Sequence, residues 1–360
     1  MEDIARRAGV STATVSMSLR NQPGIGTATR DRITALAQRL GYRPNPYVSA
    51  LMRSRRQGRA HTNRPVVALV NGLERPDAWR TSPSDMRRRI REGALERAAE
   101  LGYQGQEFWL HLDGMSAERF SEMLHARGIQ GLLLGPRADD APPPVLRWDY
   151  FSTVSLSVPW QTLTLHAVCN DHYFSSLRAV RECHRLGYRR PAVLLRQLDR
   201  EYFQGRWEAG FFTGQQTLPG IIPTRPLFID VADNSSKLPT AEFDSWLKTE
   251  RPDVIIMSSL GIQAVEQALL RLGRRVPRDI GLVGLSCPEL GHRVSGIYQN
   301  GRLIGATAMD ILISHVERHE KGLPAQAVTT MVESLWNPGE TLRPQSVALK
   351  VSAATSSRRK

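Results

Sequence analysis

The sequence predicts an α/β protein: an N-terminal helix-turn-helix head of three helices, a hinge helix, then a two-lobed α/β body. Three observations predict it. Near the start, apolar residues recur at helical spacing on both sides of a glycine, and a hydroxyl residue stands where a second helix would begin. From residue 66 onward, short aliphatic runs alternate with amphipathic stretches, the order of parallel sheets covered by helices on both faces. Finally, the net charge of +13 is concentrated at the front of the chain.

In the head, Ile4, Ala5 and Ala8 form one apolar face, Gly9 breaks the helix, and Val10 turns the chain inward. Ser11 is placed to cap a second helix, in which Val15 and Leu19 repeat at i, i+4. Two short helices around a tight glycine turn make the geometry that sets the second helix in a DNA major groove. A third helix is expected from Thr27 to Leu40, with Ile33, Leu36, Ala37 and Leu40 as its buried stripe and Gly41 as its stop. Arg30, Arg32 and Arg39 lie off that stripe. Asn45 and Pro46 then suit the cap and first position of a two-turn hinge helix, too short to be stable alone in water. It is expected to order only against DNA or a partner copy. Residues 1–60 hold eleven arginines against three acids, a net +8, as a phosphate-binding module needs. A solvated basic arm would lack this apolar periodicity.

The boundaries read as a head over 1–45, a hinge helix and linker over 46–63, a body over 64–346 and a basic, disordered tail over 347–360. In the body, strands are expected at Val66–Val70, Ile129–Leu134, Ala192–Leu195, Val254–Met257 and Ile280–Leu285. Helices are expected at Arg87–Leu101, Ala117–Arg127, Tyr173–Leu186, Trp207–Thr217, Phe243–Lys248 and Ile262–Leu272. Two units of ordinary size fit this length.

A hydrophobic content of 41% supplies sizeable cores. Cys169, Cys183 and Cys287 lie far apart without a CxxC, which supports neither a disulfide framework nor a metal site and suits a reducing cytoplasm. No apolar run approaches the ~20 residues of a membrane span, and Met1 leads straight into a charged amphipathic helix rather than a signal peptide. A soluble, cytoplasmic protein with no membrane partner is expected. No phosphate loop, dinucleotide fingerprint, HExxH or Gly-x-Ser-x-Gly occurs, so neither catalysis nor a cofactor has support. His166 and His172, flanking Asn170-Asp171, read as surface or cleft residues.

The order Ile-Ala-Arg-Arg-Ala-Gly-Val-Ser-Thr-Ala-Thr-Val-Ser, then Thr-Arg-Asp-Arg-Ile, then Leu-Gly-Tyr-Arg-Pro-Asn-Pro resembles the lactose repressor/galactose repressor (LacI/GalR) family of bacterial transcription regulators. The match is dense over residues 2–53; family members usually begin a few residues earlier. The resemblance implies that Thr12, Ala13 and Met17 meet base edges, Thr12 by hydrogen bonding and the other two by apolar contact with thymine methyls. It assigns Ser11, Thr14, Ser16 and Asn21 to phosphates or caps, and Leu51 to a minor-groove wedge, with Tyr47, Arg53 and Arg55 also at the DNA.

The body resembles, more loosely, the type I periplasmic-binding-protein-like fold, in which two lobes close on a ligand. Landmarks include Leu101-Gly-Tyr103, Leu186-Gly-Tyr-Arg-Arg190, Pro252-Asp253 and Gln299. Where many members place Asp and Asn ligands, this chain has Ser157, Ser258, Ser259 and Ser286. The arginine of the family's Arg-x-x-Gly-Phe is matched by Trp207, with Arg206 beside it. Trp79, Ser157, Asp171, Arg206, Trp207, Ser286 and Gln299 are the candidate effector-binding residues.

The expected function is a sequence-specific regulator, a repressor, that binds a two-fold symmetric operator in double-stranded DNA as a homodimer under the control of a small molecule, a sugar or related metabolite. Two alternatives stand beside it: a regulator with a degenerate, ligand-unresponsive sensor, and a cytoplasmic sugar-binding protein.

Overall fold

The computed structural model describes residues 2–19, 24–40, 64–111, 115–137, 142–156, 162–230, 238–258 and 261–343. The hinge and linker (46–63), the tail (347–360), and Asn21, Tyr47, Leu51, Arg53, Arg55, Ser157 and Ser259 lie outside them.

The head consists of α1 (Glu2–Ala8), α2 (Thr12–Leu19) and α3 (Thr27–Arg39). Ile4, Ala5, Ala8, Val15, Ile33 and Ala37 are its buried core, with Val10, Leu19 and Leu36 packed against them. Five of these nine side chains are alanine or valine, small enough to let three short helices approach closely. Gly9 ends α1 with φ +65°, a conformation glycine adopts without steric cost. Arg32 donates to the Ala8 carbonyl at 3.1 Å, tying α3 to the last turn of α1. Leu40, expected in the buried stripe, is instead exposed, because α3 ends at Arg39 and Leu40 is its C-cap.

Beyond the head, the elements are β1 (Val66–Gly72), α4 (Asp85–Glu100), β2 (Gln104–Trp109), α5 (Ala117–Ala126), β3 (Gly131–Arg137), a 3-10 turn at Trp148–Tyr150, β4 (Ser152–Leu156) and β5 (His166–Asn170). They continue with α6 (His172–Arg185), β6 (Pro191–Arg196), α7 (Gln197–Tyr202), α8 (Arg206–Thr217), β7 (Leu227–Ile229), α9 (Thr240–Glu250), β8 (Val254–Met257) and α10 (Ile262–Arg271). Last come β9 (Gly281–Gly284), β10 (Gly296–Tyr298), α11 (Gly301–Arg318), β11 (Thr329–Val332) and β12 (Leu335–Asn337).

The first sheet has the order β11-β5-β4-β3-β1-β2 and every pairing is parallel. Alternate residues face opposite sides, as strand geometry requires, and both sides are covered. Val67, Leu69, Leu133, Val154 and Val168 pack on α4 and α11, while Ala68, Val70, Leu132 and Leu134 pack on Phe120 and Leu124 of α5. Helices α4 and α11 cross at backbone distance. A Cβ on Gly305 would stand 2.0 Å from the Ile90 carbonyl oxygen, and one on Gly93 2.1 Å from that of Arg302.

The second sheet has the order β12-β10-β9-β8-β6-β7, parallel except for the antiparallel β10–β12 pair. Val193, Leu195, Ile256 and Val283 pack on α6 and α8; Leu194, Ile255, Met257 and Leu282 pack on α9 and α10. Two landmark motifs meet here: the Asp253 carboxylate accepts the backbone N–H groups of Arg189, at 2.6 Å, and Arg190, at 2.9 Å. This fixes the start of β6 against the start of β8.

The chain passes between the two units three times, after Asn170, after Gln299 and after Val332. Helix α11 and strands β10 to β12 follow the last element expected from the sequence, Ile280–Leu285. Strands β2, β4, β5 and β7 are further additions. These strands are short, rich in Ser, Gln and Gly, or half-exposed.

Candidate nucleic-acid interface and ligand-binding residues

Helix α2 is built to present one face. Val15 and Ser18 are buried and Leu19 packs on the head core, whereas Thr12 and Ala13 are exposed and Ser16 and Met17 half-exposed. Ser11 caps the helix: its Oγ accepts the Thr14 N–H at 3.0 Å and shares a 2.9 Å hydrogen bond with the Thr14 hydroxyl. That contact satisfies one of the orphan donors of the first turn. The α2 segment contains no acidic or basic residue. Charge comes from its neighbours: Arg7 is exposed on α1, Arg6 pairs with Asp3, and Arg30 and Arg39 donate to the Ile25 and Ala35 carbonyls. The outward face of α2 is thus neutral, with arginines on the helices beside it.

The effector candidates fall into three places. Trp79 belongs to the first unit and has no accessible surface. Its indole donates to the Arg87 carbonyl at 2.8 Å, so it is a core residue there and offers no stacking face, which corrects the expectation. Trp109 likewise donates, at 2.8 Å, to the Leu73 carbonyl.

Asp171, Arg206 and Trp207 come together in the second unit, where α6 and α8 begin. Asp171 caps α6, its Oδ1 accepting the Phe174 N–H at 3.0 Å. Trp207, 4% exposed, packs its ring on Phe203 at 4.3 Å and on His172 at 5.5 Å. Its Nε1 and the Nδ1 of His172 have no hydrogen-bond partner among the described residues. Burial, reinforced by the positive charge of Arg206, pushes the His172 imidazole down to about 3, so it is neutral. His172 is therefore enclosed, where the sequence predicts a surface or cleft residue. Beside it, burial raises the Glu208 carboxyl above its ordinary range against the pull of Arg200, 3.2 Å away. The sequence reading missed Phe203, Glu208 and the depth of His172, since nothing local marks them.

Ser286 and Gln299 meet at the end of β9. Gln299 is buried and donates to the Leu285 carbonyl at 2.7 Å, closing the ends of β9 and β10. Ser286, half-buried, follows that carbonyl directly. Nearby, at the end of β8, Ser258 is buried and its hydroxyl has no hydrogen-bond partner among the described residues. In the same unit a charged pair stands out. Arg196 and Asp199, 8% and 4% exposed, join bidentately at the end of β6, with Nε 2.9 Å from Oδ2.

Comparison with known proteins bears on both parts. Residues 1–45 match the model of bacterial regulatory proteins of the lacI family, and residues 180–336 match that of the periplasmic binding protein-like domain. The chain is 24% identical over 343 residues to the HTH-type transcriptional repressor CytR of Escherichia coli K12, covering 89% of this chain and 91% of that one. Over 51 residues, 14% of this chain and 15% of the relative, it is 47% identical to the HTH-type transcriptional regulator GalS of Salmonella typhimurium. Among solved structures, a transcriptional regulator CelR–cellobiose complex superposes with a TM-score of 0.58 at 21% identity, covering 94% of this chain and 98% of that one. The lac repressor dimer bound to operator and the anti-inducer ONPF gives 0.53 at 20% identity, covering 95% and 98%. With a head that matches the lacI family of bacterial regulatory proteins, a two-sheet body that matches the periplasmic binding protein-like domain and a transcriptional repressor as a relative along most of its length, the chain is a DNA-binding transcription regulator.

Proposed function

We propose that the protein is a repressor that grips a two-fold symmetric operator as a homodimer, with α2 of each copy in the major groove. The observation that carries this is the outward face of α2, Thr12, Ala13, Ser16 and Met17, held on a core that buries Val15 and Ser18. The solved relative that is a dimer on its operator supports the assembly. Outside the described residues, Leu51 would act as the minor-groove wedge, with Asn21, Tyr47, Arg53 and Arg55 at the backbone. Function in the cytoplasm fits the regulator relatives, and no described helix is long and apolar enough to cross a membrane. Selection of bound duplexes from the genome, followed by affinity measurement against salt, tests the reading. Expected are a preferred inverted repeat and an affinity that falls steeply with ionic strength; equal, salt-insensitive binding to every duplex would overturn it.

A second reading concerns control. Trp207 stands where the family's motif has an arginine, and its ring is spent on Phe203 and His172. Losing a bidentate donor weakens the grip on a polyhydroxylated ligand. We therefore favour a sensor that no longer responds to sugars over one that does. A thermal-shift screen of sugars and related metabolites decides it, since a ligand that binds only the folded state raises the melting temperature.

A further inference from the structure

We infer that the protein reads its operator through the 5-methyl groups of pyrimidines rather than through the hydrogen-bonding edges of purines. The inference rests on α2 being the reading helix. In a major groove, guanine is specified by a forked or cationic donor and adenine by a side-chain amide. From Ser11 to Leu19 there is no arginine, lysine, asparagine or glutamine. The hydroxyls of Ser11 and Thr14 are engaged with each other in the helix cap. Val15, Ser18 and Leu19 face the core of the head.

What remains outward is Thr12, Ala13, Ser16 and Met17. Two of these are purely apolar, and a third carries a methyl group beside its hydroxyl. Single hydroxyls donate and accept equally well, so alone they discriminate poorly between bases. Apolar contact with a methyl is different, because thymine is the only unmodified base that displays one in the groove. Met17 suits this use: its long, unbranched thioether adapts to an apolar surface. Its Cε lies 4.0 Å from where a Cβ on Gly24 would stand, so the methionine end lies beside Gly24.

The test uses the full-length protein and its best duplex from selection. Each thymine of one half-site is replaced in turn by deoxyuridine, which keeps base pairing and removes only the methyl. At one to three positions affinity should fall about three- to tenfold, the size expected for one buried methyl group. Replacing such a T·A pair by C·G should weaken binding further, and 5-methylcytosine at the same place should recover part of the loss. In Met17→Ala, sensitivity to deoxyuridine should disappear at one position and persist at the others. The inference is overturned if all deoxyuridine duplexes bind like the parent while exchange of a G·C pair abolishes binding. In that event the regulator reading stands and a charged residue beyond α2, such as Arg20, does the reading. Should selection yield no preferred duplex at all, the regulator reading falls and takes the methyl inference with it.

Discussion

The imidazole of His172 stands edge-on to the indole of Trp207, with 5.5 Å between ring centres and 88° between planes, and it is uncharged there. In the unfolded chain the same group titrates near its ordinary value of about 6.5. Between that value and about 3, the unfolded state therefore binds a proton that the folded state refuses. Stability rises with pH through this window and is lost as pH falls. At about pH 5 the loss from His172 alone should approach 2 kcal/mol. Urea denaturation of the wild type and of His172→Phe at about pH 8 and about pH 5 checks this. The gap between the two proteins should shift in favour of the variant at the lower pH; an unchanged gap would place the imidazole in water.

Gly305 tests how closely α4 and α11 lie. A methyl there has only 2.0 Å to the Ile90 carbonyl oxygen, and backbone cannot swing aside as a side chain does. Gly305→Ala should therefore cost about 1–3 kcal/mol or more, despite alanine's better helix propensity. A lowered denaturation midpoint with unchanged slope is the expected reading. A more stable variant would mean that the helices lie farther apart.

Arg196 and Asp199 form a buried, bidentate pair, so removing one partner strands the other charge. Asp199→Ala is expected to destabilise by about 3–5 kcal/mol, whereas exchanging both for apolar residues of similar volume should cost far less. A double-mutant cycle by chemical denaturation separates the two outcomes.

Ser11→Ala removes the cap of α2 and should cost the head about 1 kcal/mol. With α2 as the proposed reading helix, affinity for the preferred duplex should fall as well. Ser11→Asp restores a capping oxygen and should recover the stability but not the DNA affinity, since a carboxylate repels phosphate. Circular dichroism melting and a duplex titration measure the two effects separately.

What was legible in the sequence was local. The Ser11 cap, the Gly9 stop and the Val15/Leu19 spacing depend on residues a few positions apart, and the head could be drawn from them. Strands β1, β6 and β8, buried on both faces, are aliphatic runs and declare themselves. Strand β2 escaped because Gln104-Gly-Gln-Glu lies at a sheet edge, half-exposed. Helix α11 escaped because Gly301 and Gly305, poor helix formers, are there for α4, some two hundred residues earlier. Trp207, a ligand candidate by its place in the motif, is buried instead. Its contacts with His172 and Phe203 are set by the packing of α6 on α8, which no local pattern encodes.

The late arrival of α11 has a consequence for synthesis on the ribosome. Strands β1 to β5 have emerged by Asn170, yet Ile304, Ala308, Leu312 and Ile313, which seal one face of their sheet, follow only after the whole α6-to-β10 stretch. At ~5–20 residues per second, that sheet waits on the order of ten seconds or more with an apolar face unsealed. The nascent chain is thus most open to chaperones in this interval, while the head, complete within its first forty residues, is already free to fold.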